Sequence, residues 1–206
     1  MKKWYCFLFL VSISLHAQLQ WRPLTSMVSN GNNQRFDDVF FLNDNLGWAL
    51  NGAYAAVYKT TDGGITWENQ LSELTTALPG NYYFRNIEFI DENIGFVGTL
   101  NGVFFKTIDG GTTWTKVTNF PTNPPAICGL DAVGTSTIYG CGAYFSPAYI
   151  IKSTDKGETW QYTDMSAYAN ALVEILFLDE NTGYVSGKSV NGAVVLKTTD
   201  GGTTWN

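Results

Sequence analysis

Four aspartates, Asp62, Asp109, Asp155 and Asp200, stand in nearly the same phrase. The copies read VYKTTDGGITWE from Val57, FFKTIDGGTTWT from Phe104, IIKSTDKGETWQ from Ile150 and VLKTTDGGTTWN from Val195. A carboxylate among hydroxyls and glycines could serve as a general acid or base, or offer oxygen to a hard cation. Two observations weigh against both roles. The aspartates are 47, 46 and 45 residues apart, one per repeat, whereas catalytic groups converge on one pocket. An aspartate before glycine also has a local task, accepting the N–H groups of its own turn. The expected role is therefore a hairpin lock. The second glycine recurs as Gly64, Gly111, Gly157 and Gly202, while Lys156 replaces the first in the third copy. The second position is thus expected to be the left-handed one, where a side chain would clash. Trp67, Trp114, Trp160 and Trp205 are expected to peg each turn to its neighbours.

The elements that must carry these turns are short strands. A period in the mid-forties fits a four-stranded propeller blade. Each unit has an apolar segment, a turn, a Gly–aromatic step, a variable loop and then the phrase itself. FDDVFFLNDNLGWALNG from Phe36, FRNIEFIDENIGFVGTLNG from Phe84 and LVEILFLDENTGYVSGKSVNG from Leu172 show this plainly; ICGLDAVGTSTIYGCGAY from Ile127 is looser. Helical periodicity is absent. The fold class is all-β, a β-propeller of four-stranded antiparallel blades, with four blades at about 36–72, 82–118, 127–163 and 172–206 of an expected domain over 18–206.

All four phrases satisfy Ser/Thr-x-Asp-x-Gly-x-x-Trp, so the chain resembles the Asp-box, or bacterial neuraminidase repeat, proteins. The wider unit is similar to blades of the photosystem II stability and assembly factor family and of related exported repeat proteins, over roughly residues 21–206. The resemblance implies a propeller, usually of seven blades, that acts as a binding scaffold, with the box aspartates structural and away from the channel. On that reading the four units are part of a larger ring. Gln20–Leu24, with Trp21 in the role of Trp67, reads as a closing strand (about 20–25). KTTDGGTTWN at the end reads as a last strand just begun.

Enzymes of the Asp-box type remain the rival class. A sialidase grips a carboxylate with three arginines, and the chain has only Arg22, Arg35 and Arg85. A glycoside hydrolase needs only a carboxylate pair at a set separation, and no pair stands out, because most acidic residues fall in turns. The N-terminus carries Lys2 and Lys3, an apolar run from Phe7 to Leu15 and a cleavage pattern at Leu15-His-Ala17, which together read as a signal peptide over 1–17. The run is short for a membrane span, and no cysteine follows it to take a lipid. Cleavage would remove His16, the single histidine, and with it serine–histidine chemistry and histidine metal sites. No cofactor is expected. The remaining acidic chain suits neither nucleic acid nor an anionic membrane. The expected location is exported: periplasmic, cell-surface or secreted.

Cys128 and Cys141 would lie directly opposite in a hairpin centred on Gly134 and Thr135. In an oxidising compartment they are either a cross-strand disulfide or two buried thiols. Tyr54, Leu100, Tyr144, Phe145 and Val190 lie in the variable loops, and Tyr82 and Tyr83 in a connection between blades, all on the end away from the Asp-boxes. They either present an aromatic surface to a protein or glycan, or cap the blade cores.

Overall fold

The computed structural model describes residues 24, 27, 34–70, 82–142 and 147–206. The signal segment, all of the closing strand but Leu24, and Tyr144 and Phe145 fall outside them.

The Asp/Asn-rich turns and Asp-Gly turns break the chain into strands of two to seven residues, which pair with their sequence neighbours. The first sheet is β1 (Asp38–Phe41), β2 (Gly47–Asn51), β3 (Ala56–Thr60) and β4 (Glu68–Asn69). The second is β5 (Phe84–Phe89), β6 (Gly95–Thr99), β7 (Phe104–Thr107) and β8 (Thr115–Lys116). The third is β9 (Ile127–Val133), β10 (Thr137–Gly142), β11 (Tyr149–Ser153) and β12 (Gln161–Asp164). The fourth has three strands, β13 (Ala171–Phe177), β14 (Gly183–Ser189) and β15 (Gly192–Thr198), and Asn206 exchanges backbone hydrogen bonds with Lys197 at its edge. All neighbours are antiparallel, in simple up-and-down order. No strand–crossover–strand unit interrupts this order among the described residues, and the four sheets stack in sequence as propeller blades do.

A sheet stacked between two others buries both faces, so its middle strands do not alternate apolar and polar residues. β6, GFVGT, is buried at every position. Three clusters fill the gaps between sheets. Trp48, Leu50 and Val57 meet Ile87, Phe89 and Val97 between the first and second sheets. Phe96 and Phe104 meet Ile127, Leu130 and Ile138 between the second and third. Tyr139 and Ile150 meet Leu172, Ile175 and Phe177 between the third and fourth.

The aromatic of each Gly–aromatic step decides the fit. Trp48 stacks on Phe89 of the next sheet at 3.6 Å between ring centroids, and Tyr139 stacks on Phe177 at 3.7 Å. Each ring also sends its polar atom into the next sheet's Asp-box turn. Trp48 Nε1 donates to the Gly110 carbonyl (3.3 Å), and the Tyr139 hydroxyl donates to the Gly201 carbonyl (3.0 Å). The lysine of the phrase donates to the same oxygens: Lys59 Nζ to Gly110 at 3.0 Å and Lys152 Nζ to Gly201 at 2.7 Å. Each lysine lies over the ring beside it, at 5.4 and 5.2 Å. The second-to-third contact varies the pattern. Ala132 replaces the phenylalanine, so Phe96 turns to Phe104 and Trp160, and Lys106 pairs with Glu158 instead.

The hairpin holding the two cysteines departs from its expected register. Gly129, not Cys128, lies opposite Cys141, and the next pair is Gly142 with Ile127. Cys128 therefore falls in a β-bulge, an extra residue of β9 that shifts the pairing by one between Cys141 and Gly142. Cys128 and Cys141 are both buried thiols with no disulfide between them.

These contacts rank two substitutions. Trp48→Ala empties a fully buried site and is expected to cost about 3–5 kcal/mol. Tyr139→Phe removes one hydrogen bond to Gly201 and is expected to cost about 1 kcal/mol. Urea unfolding of the two variants beside the parent checks the order; equal losses would contradict the role given to ring packing.

Candidate functional site

The four Asp-boxes share one geometry. Asp62 Oδ1 accepts from the Thr60 hydroxyl (2.8 Å) and the Thr66 N–H (2.8 Å), and its Oδ2 accepts from the Thr66 hydroxyl (2.6 Å). The Thr60 hydroxyl in turn accepts the Gly64 N–H at 2.8 Å. The set recurs at Asp109 with Thr107 and Thr113, at Asp155 with Ser153 and Thr159, and at Asp200 with Thr198 and Thr204. Trp67, Trp114 and Trp205 close their turns by donating Nε1 to the carbonyls of Gly64, Gly111 and Gly202. Trp160 Nε1 is buried without such a bond. The hydroxyl and N–H of Thr159 hold the Asp155 carboxyl down to about 2, and those of Thr204 do the same for Asp200. A carboxylate so engaged within its own turn is ill placed to attack, to shuttle a proton or to ligate a cation.

Both box glycines, not only the second, have left-handed backbone. Gly63, Gly110 and Gly201 have φ of 70°, 70° and 66°, and Lys156 takes the same place at 59°. That value lies in the region an L-residue can reach with modest strain. The second position runs from 80° at Gly157 to 94° at Gly111, beyond it. Space is a lesser reason than expected, since a Cβ would meet only ordinary contacts at Gly64, Gly111 and Gly202. At Gly157 it would strike the Phe96 ring.

A second set of carboxylates was not evident from the sequence. The innermost strands each carry one acid inside an apolar run: Asp38 on β1, Glu88 on β5, Asp131 on β9 and Glu174 on β13. Three of them bridge to the next sheet. Asp38 accepts the Ile87 N–H at 2.8 Å, Glu88 accepts the Ala132 N–H, and Asp131 accepts the Phe177 N–H at 2.5 Å. The acids are close enough to feel one another. Burial, then the charges of Asp131 and Asp38, push Glu88 up to about 9, and burial pushes Asp131 up to about 6. Burial also raises Asp38 and Glu174, and Arg85 partly offsets both. The clue available in the sequence was an acid at an inner position of each first strand, hidden by the richer supply of acids in turns.

The loop end holds the expected ligand residues among those described. The turns after β2 and β6 lie at the end of the sheets away from the boxes, with Tyr54 and Leu100 each 42% exposed. Tyr83 joins them: its carbonyl accepts the Leu100 N–H, and its N–H donates to Asn101 Oδ1. Its hydroxyl donates to Asp37, which also pairs with Arg35 at 2.9 Å. Tyr82 instead packs edge-on against Phe105 and caps the core beneath. Val190 protrudes from the turn after β14, 85% exposed. Elsewhere, a groove of about 310 Å³ runs beside β8, lined by Lys106, Lys116, Asn119 and Glu158 among others.

A family model described as photosynthesis system II assembly factor YCF48 matches residues 14–161. The chain belongs to this family. Two curated relatives are photosystem II assembly lipoproteins Ycf48. The one from Synechococcus sp. (strain CC9902) is 28% identical over 72% of this chain, and that from Prochlorococcus marinus is 32% identical over 74%. The chain spans 42% of the length of each. A xyloglucanase from Paenibacillus sp is 31% identical over 51% of the chain, covering 13% of that enzyme. Among solved structures, YCF48 from Cyanidioschyzon merolae superposes with a TM-score of 0.64 at 22% identity, covering 87% of this chain and 57% of that one. An ancestral GH74 enzyme gives 0.68 at 19%, covering 90% and 25%. A YCF48 bound to D1 peptide gives 0.51 at 17%, covering 84% and 82%. These likenesses agree on the propeller architecture of the YCF48 family.

The two carboxylate sets give opposite pH limbs. Glu88 and Asp131 are raised, so the stability they contribute is full below their ordinary values of 4.5 and 3.8 and is lost as pH rises through about 6 and then about 9. Asp155 and Asp200 are lowered, so their contribution is present above 3.8 and is lost as pH falls through about 2. Melting temperature should therefore peak near pH 4–5 and decline on both sides. Glu88→Gln should flatten the alkaline limb and leave the acid limb in place; an unchanged alkaline limb would contradict the inner-strand assignment.

Proposed function

We propose that this chain is a non-catalytic binding scaffold that takes a protein segment at the loop end of its sheets. The observation that carries the reading is the contrast between the two ends. At the box end every repeated aspartate is consumed by its own turn. At the loop end Tyr54 and Leu100 stand exposed beside the anchored Tyr83. Aromatic and aliphatic groups held on rigid turns suit an extended peptide, because they bring contact area without much ordering cost. The YCF48 described as bound to D1 peptide supports a protein partner as the kind of ligand. Export through the 1–17 signal segment, into a periplasmic, surface or extracellular location, is part of the same proposal, as is the 18–206 domain. A glycan ligand would use the same aromatic surface and is the lesser form of the reading.

Fluorescence anisotropy with a panel of labelled extended synthetic peptides, D1-derived ones included, tests this. Tyr54→Ala with Leu100→Ser should weaken the best binder by at least about tenfold with an unchanged melting temperature. Unaltered affinity in that variant would refute the loop-end assignment, and no binder in the panel would count against a peptide ligand.

One observation favours a second reading, a glycoside hydrolase. Glu88 is lifted to about 9 beside Asp131 at about 6, which is how a site keeps one carboxyl protonated as an acid. The bridging bonds of both acids to the next sheet favour a structural role instead. Release of reducing sugar from xyloglucan, abolished in Glu88→Gln, would establish the hydrolase; no release by the parent chain would dismiss it.

A further inference from the structure

Three inner strands carry a bulge at the same place. The extra residue is Arg85 in β5, Cys128 in β9 and Val173 in β13. The third repeat alone sets a second sulfur across from it. Gly129 lies opposite Cys141 and Ile127 opposite Gly142, so Cys128 faces the step between Cys141 and Gly142 on the neighbouring strand. Paired strands run about 4.8 Å apart, inside the roughly 4.4–6.8 Å between Cα atoms that a disulfide spans. Both cysteines are buried, at 6% and 0% exposure. A charge on Cys128 is felt at Cys141, and a charge on either at Tyr149, which places the three groups in one small region of the interior.

The surroundings hold this step closely. Toward the fourth sheet, Gly129 lies against the backbone of Glu174, where a Cβ would come within 2.8 Å of its Cα. On β10, Gly142 leaves no room for a side chain beside the Ala126 carbonyl, which also accepts the Tyr149 hydroxyl. Three residues beyond the bulge, Asp131 bridges to the Phe177 N–H. The placing of that bridge therefore depends on how many residues the bulge absorbs. The third repeat has the least else to fix it. Lys156 stands in place of the first box glycine, Ala132 stands in place of the phenylalanine, and the Trp160 indole lacks the bond that closes the other turns.

We propose that Cys128 and Cys141 are a disulfide site, and that closing it fixes the register of the inner strand of the third sheet. The thiolate of Cys128, the less buried of the two, attacks one sulfur of an external disulfide, and the other sulfur leaves as a thiolate. The Cys141 thiolate then attacks the Cys128 sulfur of this mixed disulfide and releases the second half of the carrier. Two electrons pass to the carrier, and its two sulfurs take up the protons that the two cysteines give away. The oxidant is thus a small disulfide or a disulfide-carrying oxidoreductase, a class found outside the reducing cytosol. Burial raises the Cys141 thiol well above its ordinary value, so the exchange belongs to folding, before the fourth sheet covers it. The same burial then shields the finished bond from reductant. Its occurrence in cells rests on the export reading above, whereas its closure in vitro does not.

The full chain, reduced and unfolded, is refolded in a glutathione redox buffer, quenched with acid, alkylated in denaturant and mapped by mass spectrometry. The expected product links Cys128 to Cys141 and melts higher than the same chain refolded with dithiothreitol, by roughly 6–12 °C. That comparison needs no substitution. Cys128→Ser and Cys141→Ala should each abolish the linked peptide and make the melting temperature indifferent to reductant. Both cysteines alkylated after oxidising refolding would overturn the proposal. So would a dominant link to Cys6 or between chains, or a linked chain that melts no higher than the reduced one.

Discussion

One backbone carbonyl in each of two repeats, Gly110 and Gly201, ties neighbouring sheets of this molecule together. In the second and fourth sheets the first box glycine offers an oxygen that receives both an aromatic N–H or O–H and a lysine ammonium from the sheet before it. That oxygen is available only because the Asp-box turn holds its residues in left-handed backbone and points the carbonyl outward. The aspartate, two hydroxyls and the tryptophan indole exist to keep the turn in that shape. The hairpin lock is thus half of an intersheet joint. This accounts for the lysine and the Gly–aromatic ring recurring along with the box, though neither belongs to the turn's own hydrogen bonding.

The third sheet shows what the joint tolerates. Lys156 stands at the first box position, and Ala132 replaces the phenylalanine that would have stacked on Phe96. The second-to-third contact survives through other means. Phe96 and Phe104 pack edge-on against Trp160 at 5.9 and 5.3 Å, Phe120 closes on Trp160, and Lys156 reaches back to Asp91 at 2.9 Å. Apolar area does most of the work, and the polar joint fixes register and spacing. Three of the inner carboxylates, Asp38, Glu88 and Asp131, serve the same end, turning to the N–H of the next sheet. Burial, with the charges of neighbouring acids behind it, raises their pKa values, a cost accepted where the alternative is an unpaired buried amide.

Much of this architecture was readable from the repeats because the box requires particular residue types. Left-handed backbone calls for glycine, the carboxylate needs hydroxyl partners, and the turn needs an aromatic lid. The register at Cys141 was not readable, because the hairpin closes through the three residues Gly134, Thr135 and Ser136, which moves the pairing by one, and the bulge at Cys128 restores the expected register only at Ile127. The inner acids were hidden for a related reason. An acid inside an apolar run looks like ordinary outward alternation until the stacking of sheets shows that both faces are covered. Of the loop-end aromatics, Tyr82 and Tyr83 are adjacent in sequence and point to different tasks, one to the core at Phe105 and one to Asp37. Only the packing of the connection separates them.

The choice between scaffold and hydrolase turns on what the inner acids are already bound to. A catalytic acid must be able to move its proton onto a substrate oxygen, so it cannot also be spent on backbone. Asp38, Glu88 and Asp131 each accept an amide from the adjacent sheet, and removing that bond would loosen the stack itself. Glu174 differs, since its Oε1 accepts only the neighbouring Ile175 N–H of its own strand among the bonds described. It stands on β13 where Asp38 stands on β1, three residues before the phenylalanine that ends the strand. It is the inner acid least committed to holding sheets together, and it lacks a second free acid beside it to form the pair that hydrolysis needs. The same geometry that makes the repeats stack therefore engages the bridging acids, while Tyr54 and Leu100 stand exposed at the loop end.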